Sequence, residues 1–256
     1  MHIKSIIPAL CLIVFFLVSC QPKEYFEDSG TTFHTLFRIH YESKTLLTEK
    51  IDAELQRFNL SMNPFNPNSI IAQVNNNQPV EVDDLFHAVF TKAAEVAEIS
   101  GGAFDITCAP FINAWGFGFG QQDSLTATKI DSMKAFVGYQ KVRLEATRVI
   151  KDDPRLILNC SAIAKGYACD VIARLLEKEG VKNYLVDIGG EVAYRGKNEQ
   201  GACWSIGINK PVKNDQGQYG TVAEVFKLCG KGGLATSGNY LKSYEKDGKV
   251  YGHTIH

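Results

Sequence analysis

The stretch Leu156-Ile157-Leu158-Asn159-Cys160-Ser161-Ala162-Ile163-Ala164-Lys165-Gly166-Tyr167 changes character in its middle, and the rest of the chain reads outward from that change. Its first residues form an apolar run of strand character, while from Ala162 to about Lys178 the apolar positions recur at helical spacing. Ser161 stands where an N-cap is wanted, because its hydroxyl can accept from a first-turn amide. Small residues behind it let another group approach the helix start. Free helix N–H groups beside Lys165 make a ready anion site, suited to a diphosphate. Gly166 costs about 1 kcal/mol relative to alanine inside a helix, which points to a close contact. The same residues also suit a capped helix with one solvated lysine.

Downstream, Tyr184 to Ile188 reads as a strand, and Val192 to Tyr251 as successive strands broken by Gly and Asn turns. Upstream, Thr31 to Tyr41 alternates like a strand, with Phe33, Thr35, Phe37 and Ile39 in phase. Leu46, Leu47, Ile51, Leu55 and Phe58 give a helix over 45–58. Asn and Pro mark 61–79 as loop. A second helix runs from about Asp83 to Ser100 and stops at Gly101-Gly102. A short helix near 128–136 and a strand near 141–144 complete the middle. Helices early and strands late define an α+β class.

The 256 residues carry a formal charge of −1 and 45% hydrophobic content, an ordinary globular profile without the basic excess of a nucleic-acid binder. The N-terminus differs. Lys4 precedes an apolar run from Ile6 to Val18, shorter than the roughly 20 residues a spanning helix needs, so residues 1–19 read as a secretory signal. It ends Leu17-Val18-Ser19-Cys20, which resembles a bacterial lipoprotein processing site with Cys20 as the lipidated residue. Residues 20–30 are then a polar tether and 31–256 the folded domain, outside the cytoplasm. Of seven cysteines, Cys108, Cys160, Cys169, Cys203 and Cys229 remain in the domain. No CxxC pair occurs and the number is odd, so buried free thiols are expected rather than a disulfide framework.

Two further segments could carry chemistry. In Ser100-Gly101-Gly102-Ala103-Phe104-Asp105-Ile106-Thr107, with Trp115-Gly116-Phe117-Gly118 beyond, glycines expose backbone groups and the aromatics can stack on a flat ring. A plain loop closing a helix fits as well. Gly232 to Tyr240 is followed by Gly252-His253-Thr254-Ile255-His256, where a zinc pair is conceivable but lacks a nearby third ligand.

The segments AIAKGYACD, SGGAFDITCAPF with WGFG, ATSGNY and GHTI, with SGTTF near the start and Phe65 to Asn75 after it, occur in the order and spacing of the ApbE family of FAD:protein FMN transferases. The chain resembles that family from about Ser29 to its end. The resemblance implies a T-fold-like domain with helices packed on a mostly antiparallel sheet. It implies FAD as substrate and Mg²⁺ as cofactor, with FMN moved onto a Thr or Ser hydroxyl of an acceptor protein and AMP released. Ala103, Phe104 and Asp105 match the family's flavin-contacting turn, and Lys165 matches an FAD contact. Ala162 matches a metal ligand, here through its carbonyl, and Ser29 and Phe65 match further FAD-lining positions. His253 matches the histidine of the last motif, a general base or phosphate contact, and Ile255 an FAD contact.

Asn159 stands where the family usually has Asp, so its contact with the substrate is through an amide. The chain stops at His256, inside the last motif. The family's acidic and Thr metal ligands lie beyond that point, so a fragment of a longer protein is expected. The acceptors implied are subunits of the sodium-pumping NADH:quinone oxidoreductase or its Rnf-type relatives. A Mg²⁺-dependent FAD pyrophosphatase and a non-catalytic periplasmic flavin-binding lipoprotein are the alternative functions.

Overall fold

The computed structural model describes residues 23–118, 126–212, 220–238, 243–246 and 248–254. The leader over 1–19, Cys20, the Asn239-Tyr240 pair, Ile255 and His256 lie outside the described residues.

The centre is a five-stranded sheet built from strands β1 (Glu24–Thr32), β2 (Thr35–Ser43), β5 (Tyr184–Ile188), β6 (Glu191–Gly196) and β9 (Gly230–Leu234). Their order is β1-β2-β5-β6-β9, with every neighbouring pair antiparallel. Alternation assigns the two faces. Phe26, Phe37, Ile39, Tyr41, Tyr184, Val186, Ile188 and Ala193 face the main core, whereas Tyr25, Leu185, Val192, Tyr194 and Leu234 belong to a smaller cluster on the other side.

Helices cover the first face: α1 (Thr48–Met62), α3 (Asp84–Ile99) and α6 (Ser161–Lys178) pack together, with α6 lying on β5 and β6. Each buries one stripe. In α1 it is Ile51, Leu55, Phe58 and Met62; in α6 it is Ala168, Cys169, Val171, Ile172 and Leu176. The short helix α2 (Ile70–Asn75) is capped by Ser69, whose Oγ accepts from Ala72 N–H at 3.2 Å. Asp83 caps α3 through Phe86 N–H and also accepts from Ser61 Oγ, tying α3 to α1. After α4 (Ala109–Ala114) and α5 (Ala127–Lys134), β3 (Val142–Glu145) and β4 (Arg148–Lys151) form a separate ribbon.

The second face is covered by the ribbon β7 (Trp204–Asn209) and β8 (Val222–Leu228), whose Trp204 and Leu228 complete the smaller cluster. A last ribbon pairs β10 (Ser243–Lys246) with β11 (Lys249–Gly252). Among the described residues no helix is long and apolar enough to cross a membrane.

Five expectations change, the first being the loop over 61–79, in which Ile70–Asn75 form α2 behind the Ser69 cap. The single strand over 31–41 is a hairpin: Phe33 and His34 take φ of 49° and 58°, the paired left-handed turn that joins twisted antiparallel strands, and β1 and β2 run out on either side. The polar tether over 20–30 gives way to β1 from Glu24 onward, because Tyr25 and Phe26 pack on opposite faces of the sheet and Asp28 accepts from Tyr41 Oη and Thr48 Oγ1. Leu156 to Leu158 is not a ladder strand, although Leu156 and Leu158 are fully buried. Cys203 and Cys229 form a disulfide across the ends of β7 and β8, leaving Cys108, Cys160 and Cys169 as the free thiols. An odd number of cysteines excludes complete pairing but says nothing against one bridge.

Candidate functional site

The start of α6 is not capped by Ser161, because Ser161 is already helical and its hydroxyl sits one residue too far in. Asn159 takes the role: its Oδ1 accepts from Ser161 N–H at 2.9 Å, a local turn that asparagine favours. Ala162 lies in the exposed first turn, and Lys165 projects one turn further on.

Lys165 Nζ donates to Glu191 Oε2 at 2.6 Å and to the Gly189 carbonyl at 3.2 Å. Both partners belong to the β5–β6 turn. Gly189 and Gly190 have φ of 62° and 89°, which only glycine adopts without strain. The turn is also too tightly packed for side chains. A Cβ on Gly189 would lie 2.7 Å from Thr35 Oγ1, and one on Gly190 2.6 Å from Thr236 Oγ1. Thr236 donates to the Gly190 carbonyl at 3.1 Å, Gly189 N–H donates to Leu36 O, and Gly190 N–H donates to Asp187 Oδ1. The Cys169 thiol donates to Glu191 O at 3.0 Å, and burial pushes its pKa up, so it stays neutral. Lys165, Gly189-Gly190, Glu191 and Thr236 thus form one unit from α6, β6 and the segment after β9.

Phe65 reaches the same end of the molecule, since its ring meets His34 edge-on at 4.9 Å and Thr35 follows His34 against Gly189. Ser29 does not join them. It is exposed and in phase with Tyr25, hence on the sheet face opposite α6.

The second unit is the turn after α3. Gly101 and Gly102 take φ of 61° and 85° and end the helix. Ala103 is exposed and Phe104 is half-buried against the core. The Asp105 carboxylate is fully engaged: Oδ1 accepts from Thr107 N–H and Oγ1, both at 2.7 Å, and Oδ2 from Tyr139 N–H at 2.9 Å. It therefore shapes the segment. Asn159 N–H donates to the Ile106 carbonyl at 2.7 Å, joining this unit to the start of α6. Nearby, burial pushes the Cys160 thiol up to about 12 and the Cys108 thiol to about 11, which makes neither a nucleophile near neutrality.

The third unit is aromatic. Trp115 lies 5.4 Å from Tyr251 and Phe117 lies 5.3 Å from Tyr244, while Tyr244 and Tyr251 stack on each other. His253 follows β11 with its ring edge-on to Phe117 at 6.5 Å. Among the described residues its Nδ1 is buried without a hydrogen-bond partner, an unmet group that costs about 1–3 kcal/mol and that a substrate group could fill.

The fit of a magnesium ion is poor among the described residues. No three His, Cys, Asp or Glu side chains come together there, and Ala162 offers a carbonyl alone. Glu191, Gly189 and Gly190 escaped the sequence reading. Gly-Gly between two apolar runs is a hairpin signal that could have found the turn. Nothing in the spacing of Lys165 and Glu191 pairs them.

Helices packed on one face of an antiparallel sheet, with a lysine held against a glycine turn, give an α+β domain whose counterparts among solved structures are flavin transferases. The flavin transferase ApbE from Vibrio cholerae superposes with a TM-score of 0.77 at 30% identity, over 91% of this chain and 76% of that one. The Pseudomonas stutzeri flavinyl transferase ApbE in its apo form gives 0.76 at 27%, over 91% and 74%. The chain belongs to the ApbE family, whose model matches residues 30–256. Among curated relatives, the FAD:protein FMN transferase of Vibrio cholerae is 33% identical over 93% of this chain and 74% of its own length. That of Escherichia coli K12 is 32% identical over 96% and 76%.

Proposed function

We propose that this protein moves the FMN half of FAD onto a Thr or Ser hydroxyl of an acceptor protein and releases AMP. The observation that carries this reading is the Lys165 unit: an oriented ammonium beside the open N-terminal turn of α6, against a turn stripped of side chains. Such a surface suits a diphosphate, whose charge meets the lysine and the helix N–H groups. Gly189 and Gly190 let Thr35 and Thr236 close against the backbone that holds the ammonium in place.

The reaction is an in-line displacement at phosphorus. The acceptor hydroxyl oxygen bonds to the FMN phosphorus, the bond to the bridging oxygen breaks, and AMP leaves with that oxygen. The hydroxyl proton passes to a base, for which His253 is the candidate because its ring has an unmet buried nitrogen. Phe104 and the aromatic ribbon supply flat surfaces for the isoalloxazine. Dependence on Mg²⁺ belongs to the proposal on the family resemblance alone, since the described residues do not assemble a centre for it.

We further propose a lipid-anchored domain facing the periplasm, acting on subunits of sodium-pumping or Rnf-type electron-transport complexes. The leader and Cys20 support the anchor, and the Cys203–Cys229 disulfide suits an oxidising compartment. The test incubates the protein with FAD, Mg²⁺ and a purified acceptor subunit, and reads the acceptor's intact mass. A gain of one FMN, lost on chelation, is expected. AMP and free FMN with an unchanged acceptor would overturn the transferase.

A further inference from the structure

Among the described residues the backbone that leads into α6 has no strand partner, yet Leu158 is fully buried. Its polar groups are met by one side chain from 83 residues earlier: Asn75 Oδ1 accepts from Leu158 N–H at 2.8 Å, and Asn75 Nδ2 donates to the Leu158 carbonyl at 2.9 Å. A carboxamide offers a donor and an acceptor side by side, so Asn75 stands in for the missing strand. The next residue is held from the other side, because Asn159 N–H donates to the Ile106 carbonyl at 2.7 Å. Asn159 then caps Ser161 N–H with its own side chain. The two-residue segment is thus gripped between α2 and the Ala103–Thr107 turn.

Asn75 is itself fixed. It ends α2, whose capping Ser69 also donates to the Asn63 carbonyl at 2.7 Å, and its own carbonyl accepts from Lys151 Nζ at 3.4 Å. The grip is therefore made from a rigid base.

We propose that Asn75 is a positioning residue for flavin transfer, setting the separation between the Ala103–Asp105 turn and the start of α6 that carries Lys165. This rests on the flavin-transfer reading above. Asn75 acts through Leu158 and Asn159. Without the fork, two buried backbone groups lose their partners and the segment must shift to find others. A displacement of about 1 Å between groups that share a substrate is enough to lower turnover or affinity a hundredfold.

The variants are Asn75→Asp, which keeps the shape and the acceptor but sets a carboxylate oxygen against the Leu158 carbonyl, and Asn75→Ala, which removes both bonds. The control is Asn77→Ala, which loses bonds to Pro154 and Lys151 at a position of φ 56° and so is also destabilised. Flavin transfer to the acceptor is followed against FAD concentration in the full chain. KM for FAD is expected to rise at least fivefold in both Asn75 variants and to stay within twofold in the control at comparable loss of Tm. KM values that track Tm alone in all three would overturn the proposal. Hydrogen exchange gives a second reading without turnover. Faster exchange in Asn75→Asp confined to peptides over 103–107 and 156–166 is expected, and exchange unchanged there would also overturn it. A wild-type protein that transfers no flavin would sink the functional reading instead, leaving the exchange result to judge Asn75.

Discussion

Lys165 and Glu191 are both mostly shielded from solvent, at 30% and 18% exposure, and their 2.6 Å contact fixes where the ammonium points. A shielded pair is costly to break from one side, because the survivor keeps its desolvation penalty without its partner. On the proposed function, Lys165→Ala does two harms at once: it removes a cation from the diphosphate and leaves a carboxylate facing it. Losing a hydrogen bond to a charged group costs about 1.5–3 kcal/mol, roughly tenfold to a hundredfold in KM for FAD. The double variant Lys165→Ala/Glu191→Ala removes the repelling charge as well, so it is expected to recover part of the loss. Steady-state transfer by the single and double variants measures the coupling. A double variant as poor as the sum of the two singles would mean that Glu191 does not act through Lys165. From sequence, Lys165 was legible as a helix-start cation, but its anchor was not, since nothing local links it to Glu191.

At the level of elements, periodicity located α1, α3, α6 and β5 to within a few residues, because each buries one regular stripe or one alternating face. It failed where a side chain replaces a backbone partner, as at Leu158, and where a two-residue turn interrupts an alternating run, as at Phe33-His34. The β7–β8 ribbon lies within the successive strands expected over 192–251, but its own bounds were not legible. Val222, Val225 and Phe226 on β8 are all exposed, whichever face they take, so its pattern is not that of a half-buried strand. The ribbon hangs on Trp204, whose Nε1 donates to the Arg195 carbonyl, and on the Cys203–Cys229 bridge, which spans 26 residues. Closing a loop of that length stabilises the folded state by about 3 kcal/mol. Replacing both cysteines with serine is expected to lower Tm by roughly 5–10 °C for a domain of this size, with KM for FAD unchanged because the ribbon covers the face opposite α6. Calorimetry with and without reductant checks it, and a Tm indifferent to both would show that Trp204 and Leu228 hold the ribbon unaided.

Across the whole molecule, the α+β class was legible because both periodicities are strong, whereas the order β1-β2-β5-β6-β9 was not. The step from β2 to β5 spans the helices and the β3–β4 ribbon, and no local signal says which strands meet after so long an excursion. That excursion returns through Lys151 at the end of β4, whose Nζ donates to Asn77 Oδ1 at 3.0 Å and to the Asn75 carbonyl, both neutral. Among the described residues it makes no ion pair, and burial pulls its pKa down to about 8. The sign follows from linkage. Between pH 8 and roughly 10.4, the unfolded chain holds a proton on this lysine that the folded chain has released, so stability rises with pH across that window. Below pH 8 both states are protonated and the full cost of burying the cation is present. Tyr25, Tyr41 and Tyr184 act oppositely, because their raised values make the folded state weaker once the unfolded phenols ionise above about pH 10. Lys151→Met keeps the buried stem and removes the charge, so the tyrosines cancel in the difference between the two proteins. Urea midpoints measured from pH 7 to 9.5 are expected to climb for the wild type relative to Lys151→Met. Parallel curves would mean that Lys151 is solvated enough to keep its ordinary pKa, and that the contact between β4 and the end of α2 is looser than its hydrogen bonds imply.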